Sequence, residues 1–418
     1  MKLPRGIAIS AALAWQSSAP LPAARLAMAD GLAQLEWSRE VLGAGLRVAA
    51  LDYYPTTPGL HSARGQMFGG LHGFLADSLP DGWGYLLMRR RLAKAGVDIA
   101  ALTPLERLAL VGDQGRGALV FAPSTAPADT VETLDLDLLA EAALTLLAGG
   151  APALADTLAN LGGGSGGARP KVHVGFNADG AVSVGSGETP PGFDPWLVKF
   201  RAPEDPEDIG PIEAAYAEMA AAAGVAMSPH RLIPARSGHP YFATRRFDRP
   251  DGGGRLHMVS LAGAIEAPAD RPSAGYDTYL RATRAITRRA EDVVEAFRRM
   301  IFNVLASNRD DHTRQHAYLM DAAGTWTLAP AYDLTHSPGP GGEHYMDIEG
   351  EGRRPTRGHV LALAARHGLA ERIVAPMIDE VRAAVSDWPT FAAATEVTAA
   401  SRGRIAEAIA TVGADFQD

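Results

Sequence analysis

Two periodicities divide the chain. Up to about residue 125, short apolar runs such as GLRVAALDYY (45–54) and GALVFAP (117–123) alternate with helix-like text, a mixed α/β pattern. The stretch FLADSLPDGWGYLLMRRRLAKAG (74–96) breaks at a Pro-Asp-Gly turn, restarts as a helix and ends at Gly96. Residues 126–160 are rich in Ala and Leu and predict helix. LGGGSGGARPKVHVGFN (161–177) is a glycine loop running into an alternating strand, KVHVGF. PWLVKFRAP (195–203) predicts a second strand, IEAAYAEMAAAAGV (212–225) a helix stopped by Gly224, and HPYFATRRFDRPDGGG (239–254) a strand leading into a turn. From about 255 the pattern is mainly helical. RAEDVVEAFRRMIFNVLASN (289–308) predicts a long amphipathic helix, AYLMDAAGTWTLAPAYDL (317–334) a hairpin turning at Ala-Gly, and the tail from 356 further helices.

This order predicts an α+β protein on a two-lobed plan. Residues 1–125 form an N-terminal α/β subdomain, 126–254 the glycine loop and a small sheet, and 255–418 a helical lobe. A chain of 418 residues is long enough for two or three such parts.

Composition narrows the function classes. Hydrophobic content of 47% and charged content of 21% are ordinary for a soluble globular protein. A net charge of −9 disfavours nucleic-acid binding by the whole surface. The best local basic patch, MRRRLAKAG (88–96), reads equally well as a solvated helix face. There are no cysteines, which excludes disulfides and thiolate metal sites and fits a reducing cytosol. The opening MKLPRGIAISAALAW resembles a short signal peptide, but Pro4 and Arg5 precede its apolar run, and RGIAIS reads as an opening strand. No stretch supplies the roughly 20 uncharged apolar residues of a membrane span. The longest candidate (134–150) is cut by Asp135, Asp137 and Glu141.

Three stretches carry candidate chemistry. GGGSGGARPK (162–171) has the composition of a flexible linker, yet it ends in Arg169, Pro170 and Lys171 immediately before a strand. Glycine lets backbone N–H groups crowd an anion, and a lysine adds a point charge. The Walker spacing is absent, so a kinase-type glycine-rich lid over nucleotide phosphates fits better. In WLVKF (196–200), Lys199 interrupts an apolar strand, facing either solvent or an anion; Glu213, on the following helix, is its candidate partner. The third stretch, SNRDDHTRQH (307–316), sets two aspartates and two histidines between apolar segments. A kinase places a catalytic Asp five residues before a magnesium-binding amide, then a second magnesium-binding Asp beyond a hairpin. Asp310, Gln315 and Asp333 occupy those positions. A metal-dependent hydrolase would instead use Asp310, His312 and His316, without the familiar zinc spacing.

FLADSLPDGWG, LERLALVGDQGRGAL, GGARPK, LVKF, RRFDR, NRDDH and LAPAYDL, in this order over nearly the whole chain, resemble motifs of the HipA family, serine/threonine kinase toxins of bacterial toxin–antitoxin pairs. The resemblance implies a protein-kinase-like fold, with Asp310 as catalytic base. Gly166, Gly167, Ala168, Arg169, Pro170 and Lys171 would cover the ATP phosphates, and Lys199 would hold them. Arg245, Arg246 and Phe247 would form the hinge against adenine. His312, Thr313, Arg314 and Gln315, with Tyr332 and Asp333, would complete the phosphate and magnesium end. It further implies a protein substrate such as an aminoacyl-tRNA synthetase, and a helix-turn-helix, HipB-like antitoxin through which alone the chain reaches DNA. Two departures stand out. Gln315 replaces the family's usual Asn, which leaves a catalytically weak co-repressor as the alternative. The family's regulatory loop serine falls nearest Gly164, which makes the adjacent Ser165 the candidate autophosphorylation site.

Overall fold

The computed structural model describes residues 6, 8–16, 19–124, 135–162, 164, 166–184, 189–251 and 253–416. The fold is α+β. The chain divides into two compact units: Met1–Asp205 with Ile233–Val259 and Leu319–Thr325, and Pro206–Leu232 with Ser260–Tyr318 and Trp326–Asp418.

The first unit opens on a sheet of β1 (Ile9–Leu13), β2 (Leu21–Ala29), β3 (Leu32–Trp37), β4 (Leu60–Ser62) and β5 (Leu119–Ala122), ordered β4-β3-β2-β1-β5. Its pairings are antiparallel. Asp30 and Gly31 both take positive φ and close the β2–β3 hairpin in two residues. RGIAIS does open a strand, from Ile9. GLRVAALDYY does not form one. Val48, Ala49 and Ala50 are all buried, but as successive residues of a turn. The turn is closed by the Ala50 N–H donating to the Arg47 carbonyl at 3.0 Å and by the Arg47 guanidinium donating back to the Ala50 carbonyl at 2.7 Å. A short apolar run gains as much from burial in a turn as in a strand, provided its polar backbone finds partners.

A second antiparallel sheet contains β6 (Lys171–Phe176), flanked by β7 (Val182–Val184) and β8 (Asp194–Lys199), with Tyr241–Arg245 on the far side of β8. Alternation assigns the faces. Val172, Val174 and Phe176 of β6, Trp196 and Val198 of β8, and Ala243 join one core with Trp83, Leu87, Leu139, Leu146 and Leu158. Those last residues come from helices Gly82–Lys94, Leu136–Leu147 and Ala155–Gly162. The other face of β6 carries Lys171 and His173, and they are buried too: all six residues of the strand are shielded. The alternation seen in the sequence therefore marks which face is apolar, not which is wet.

The second unit is mainly helical. Helix Ile209–Ala222, rich in Ala and buried on nearly every side, packs Tyr216 at a tilt against Trp388, with a centroid distance of 5.3 Å. The Tyr216 hydroxyl donates to the Ala306 carbonyl at 2.8 Å. Helices Tyr276–Thr287, Ala290–Leu305, Arg357–Arg366, Glu371–Ser386, Trp388–Ala394 and Ala399–Asp415 complete it. At Gly324, φ +83°, the turn after Ala317–Met320 reverses the chain toward Trp326–Leu328, as its Ala-Gly predicted. No described helix is long and apolar enough to cross a membrane.

Candidate active site

The glycine loop is built into its unit by backbone contacts that side chains would prevent. The Gly167 carbonyl accepts the Trp83 N–H at 2.9 Å, and the Gly167 N–H donates to the Asp81 carboxylate. A Cβ on Gly82 would lie 2.5 Å from the Gly167 carbonyl oxygen, and one on Gly164 would lie 2.2 Å from that of Gln114. Both separations are closer than carbon and oxygen tolerate, so glycine is required at each. The indole N–H of Trp83 reaches the Lys171 carbonyl at 3.0 Å. PDGWG, GDQGRG and GGARPK, far apart in sequence, thus meet at one turn. Ser165 lies outside the described residues.

Lys171 begins β6 and Lys199 ends β8. The antiparallel register pairs them directly, on the face away from the helices. Both are buried, at 6% and 9% exposure. The Lys171 ammonium donates to the Gly166 carbonyl at 2.6 Å, and that of Lys199 lies 5.8 Å from the Phe242 ring centroid. Two cations on one sheet face beside a glycine turn are the groups that hold phosphates. Beside them Arg169 is fixed by both oxygens of Asp205, at 3.0 and 3.1 Å. Ala168 and Pro170 complete the turn, and the Pro170 carbonyl accepts the Phe200 N–H at 2.8 Å.

The expected hinge is partly consumed by structure. Arg246 and Arg249 share Asp248, with guanidinium–carboxylate distances of 2.8 to 3.0 Å, and all three are buried. Burial pushes the Asp248 carboxyl up, but Arg246 and Arg249 outweigh it and hold it well below the usual carboxylate range. Asp248 also accepts the Gly117 N–H at 2.8 Å, tying this turn to GDQGRG. Arg245 pairs with Asp194 and Asp251, and Phe247 is half-buried.

In the second unit, Asp310 is 45% exposed and its carboxylate lies 3.9 Å from His312 Nε2. His312 caps the 3-10 turn Thr313–Gln315, accepting the Arg314 N–H at 3.2 Å, and Thr313 is buried. Gln315 Nε2 lies 3.2 Å from Asp333 Oδ2. The two expected magnesium ligands are therefore neighbours, although they are 18 positions apart. Asp333 adopts φ +56°, and the Tyr332 hydroxyl donates to the Arg314 carbonyl at 2.5 Å. Glu213 is buried within helix Ile209–Ala222.

The hydrolase expectation fails. His316 is 3% exposed, and its ring lies tilted against that of Tyr279, with the centroids 4.1 Å apart. Burial, reinforced by Arg299, pushes its pKa down to about 3. Among the described residues no group of three or more His, Asp or Glu could hold a metal ion.

Three carboxylates escaped assignment from sequence. Asp81 clasps the glycine loop and Asp248 anchors the hinge arginines. Asp311, fully buried, accepts bonds from the Tyr276 hydroxyl at 2.7 Å, His344 Nδ1 at 2.8 Å and the Tyr345 N–H at 2.8 Å. Burial raises its pKa, but His344 and these hydrogen bonds bring it below the ordinary value. Asp248 and Asp311 lie inside charge-dense stretches and Asp81 in a Pro-Asp-Gly turn, but neither signal says which carboxylate turns inward.

Residues 163–388 match the HipA-like C-terminal domain family and residues 21–122 the HipA N-terminal domain family. Among solved structures, the chain resembles Shewanella oneidensis MR-1 HipA, determined in complex with HipB and its operator DNA. The TM-score is 0.66 at 16% identity, covering 94% of this chain and 93% of that one. A putative kinase, Y4mE of Sinorhizobium fredii, is 31% identical over 132 residues, which cover 29% of this chain and 31% of that relative. The fold is that of the HipA protein, and by its two matched domains this chain belongs to the HipA family.

Proposed function

We propose that this chain is an ATP- and magnesium-dependent protein serine/threonine kinase and the toxin of a toxin–antitoxin pair. The observation that carries the reading is the pairing of Lys171 with Lys199 across two strands beside a glycine turn, which brings together the backbone and cationic groups that cradle nucleotide phosphates. ATP with magnesium supplies the transferable phosphoryl group and neutralises its charge. Lys171 and Lys199 hold phosphates, with Gly166 to Pro170 above them. Arg245 to Phe247 hold adenine through their backbone. Asp310, exposed enough to meet an acceptor hydroxyl, orients it and takes its proton. Gln315 and Asp333 fit magnesium as hard-oxygen ligands, since turning the Gln315 amide over brings its oxygen to the place its nitrogen now occupies beside Asp333. His312 to Arg314 and Tyr332 shape that end.

The substrate we propose is a protein of translation such as an aminoacyl-tRNA synthetase, acted on in the cytoplasm. The Shewanella HipA is held with HipB and operator DNA. A HipB-like helix-turn-helix antitoxin is accordingly the proposed partner here, and the net charge of −9 supports contact with DNA through that partner alone. Ser165 is the proposed autophosphorylation site. The test is phosphoproteomics of cells expressing the chain against an Asp310→Ala control. New phosphoserines or phosphothreonines confined to the active chain are expected, and identical phosphoproteomes would overturn the reading.

A further inference from the structure

Both neighbours of Asp310 reach for one segment. Arg309 donates to the Gly342 carbonyl at 2.5 Å and, more weakly, to the Arg353 carbonyl at 3.4 Å. Asp311 takes the side chain of His344 and the N–H of Tyr345, each at 2.8 Å. The Tyr345 ring stands edge-on to His312 at 5.5 Å, and burial together with the charge of Asp310 raises the pKa of its hydroxyl. Asp310 is thus flanked by two grips on the stretch Gly342–Arg353.

Elsewhere the stretch is held by the Tyr276 N–H, which donates to the Asp347 carbonyl at 2.9 Å, and by Arg366, which pairs with Glu349 at 2.5 Å. It folds back on itself through the His344 N–H to the Gly352 carbonyl at 2.8 Å and the paired bonds of Ile348 and Glu351 at 3.0 Å. Met346 and Ile348 anchor its inner side, while Glu343 and Arg353 are about half exposed. The approach of Arg309 is close. A Cβ on Gly339 would lie 2.7 Å from the Arg309 Cβ, so glycine is needed for the turn to pass. The Arg309 Nε is buried with no hydrogen-bond partner, a cost accepted for the two carbonyl bonds.

In protein kinases the segment following the magnesium-binding Asp is commonly ordered by phosphorylation, through arginines that pair with the new phosphate. Between Pro338 and Pro355 this chain has no serine or threonine, and Tyr345 is its one hydroxyl. The arginine next to the base binds main-chain carbonyls instead. Resting on the kinase reading above, we infer that Arg309 and Asp311 are positioning residues that clamp the Gly342–Arg353 segment beside Asp310, and that this segment seats the protein substrate. The clamp consists of neutral acceptors and a buried carboxylate, so it is present without modification.

Asp311 sits in a buried hydrogen-bond network, and its replacement endangers folding. Arg309, half-buried, therefore carries the test. Trypsin is applied to the full chain and to Arg309→Ala and Arg309→Lys. Cleavage after Arg353 is expected to rise about tenfold in both variants, because local opening is governed by contacts of the segment rather than by global stability. Melting temperatures should stay close to wild type. With casein as the acceptor, KM for casein should rise about tenfold while KM for ATP is unchanged, the split expected when a substrate seat loosens. Lysine keeps the charge but loses the planar fork whose two nitrogens reach separate carbonyls, so a lysine variant that behaves like wild type would overturn the clamp. So would wild-type cleavage rates in Arg309→Ala, or equal rises in both KM values. If the wild-type chain transfers no phosphate from ATP, the kinase reading falls, and the cleavage comparison still decides whether Arg309 holds the segment.

Discussion

Lys171 and Lys199 stand opposite each other across two antiparallel strands, both buried on the sheet face that turns away from the helices. Nothing in strand formation calls for such a pair. A phosphate placed beside both would be attracted by each.

Lys199→Met should weaken ATP binding at least about tenfold, roughly 1.4 kcal/mol, in a chain that still folds. Calorimetric titration with ATP and a thermal melt together check this. Unaltered ATP affinity would remove Lys199 from the nucleotide site.

Asp310→Ala should abolish phosphoryl transfer while ATP affinity stays near wild type. Its side chain is 45% exposed, so the stability change should stay within about 0.5 kcal/mol. Radiolabel transfer from ATP and a denaturant titration are the measurements. Residual transfer at a comparable rate would mean that another group is the base.

Gln315→Asn should lower the magnesium needed for half-maximal activity several-fold. The Gln315 amide sits 3.2 Å from Asp333 on an arm one methylene longer than asparagine, and ordering that arm costs on the order of 1 kcal/mol. Superimposable magnesium titrations would show that residue 315 is not a ligand.

Acid should unfold the protein in a window set by its buried histidines. Burial lowers His72 and His257 to about 4 and His316 to about 3. In the unfolded chain all three titrate near 6.5. Between those values the unfolded state binds more protons, so stability is full above about pH 6.5 and falls as the pH drops toward 4. The slope is about 1.4 kcal/mol per pH unit for each group. His257 donates from Nε2 to the Val48 carbonyl, 2.9 Å away, and His257→Gln keeps a donor there. Its pH–stability curve should lose the slope of one proton relative to wild type. Parallel curves would show that His257 does not titrate on unfolding.

Much of this protein is legible one segment at a time. The helix stop at Gly96, the Ala-Gly hairpin, the long helix before Asn308 and the strands around Lys171 and Lys199 all follow from periodicity and punctuation, because each depends on backbone preferences within a few residues. GLRVAALDYY misled because a short apolar run has no period of its own, and burial can be achieved by a turn as well as a strand.

The sequence by itself determined which residue types were concentrated where: lysine after glycine, aspartates at 310 and 333, an amide at 315. Tertiary structure decided which of them meet. Only antiparallel register sets Lys171 against Lys199, and only a reversal of the chain brings Gln315 to Asp333. In NRDDH two adjacent aspartates have nearly identical local sequence, yet one is exposed and the other is sealed beneath Tyr276 and His344. Desolvation and hydrogen-bond partners make that distinction, and both are supplied by residues tens of positions away in the chain.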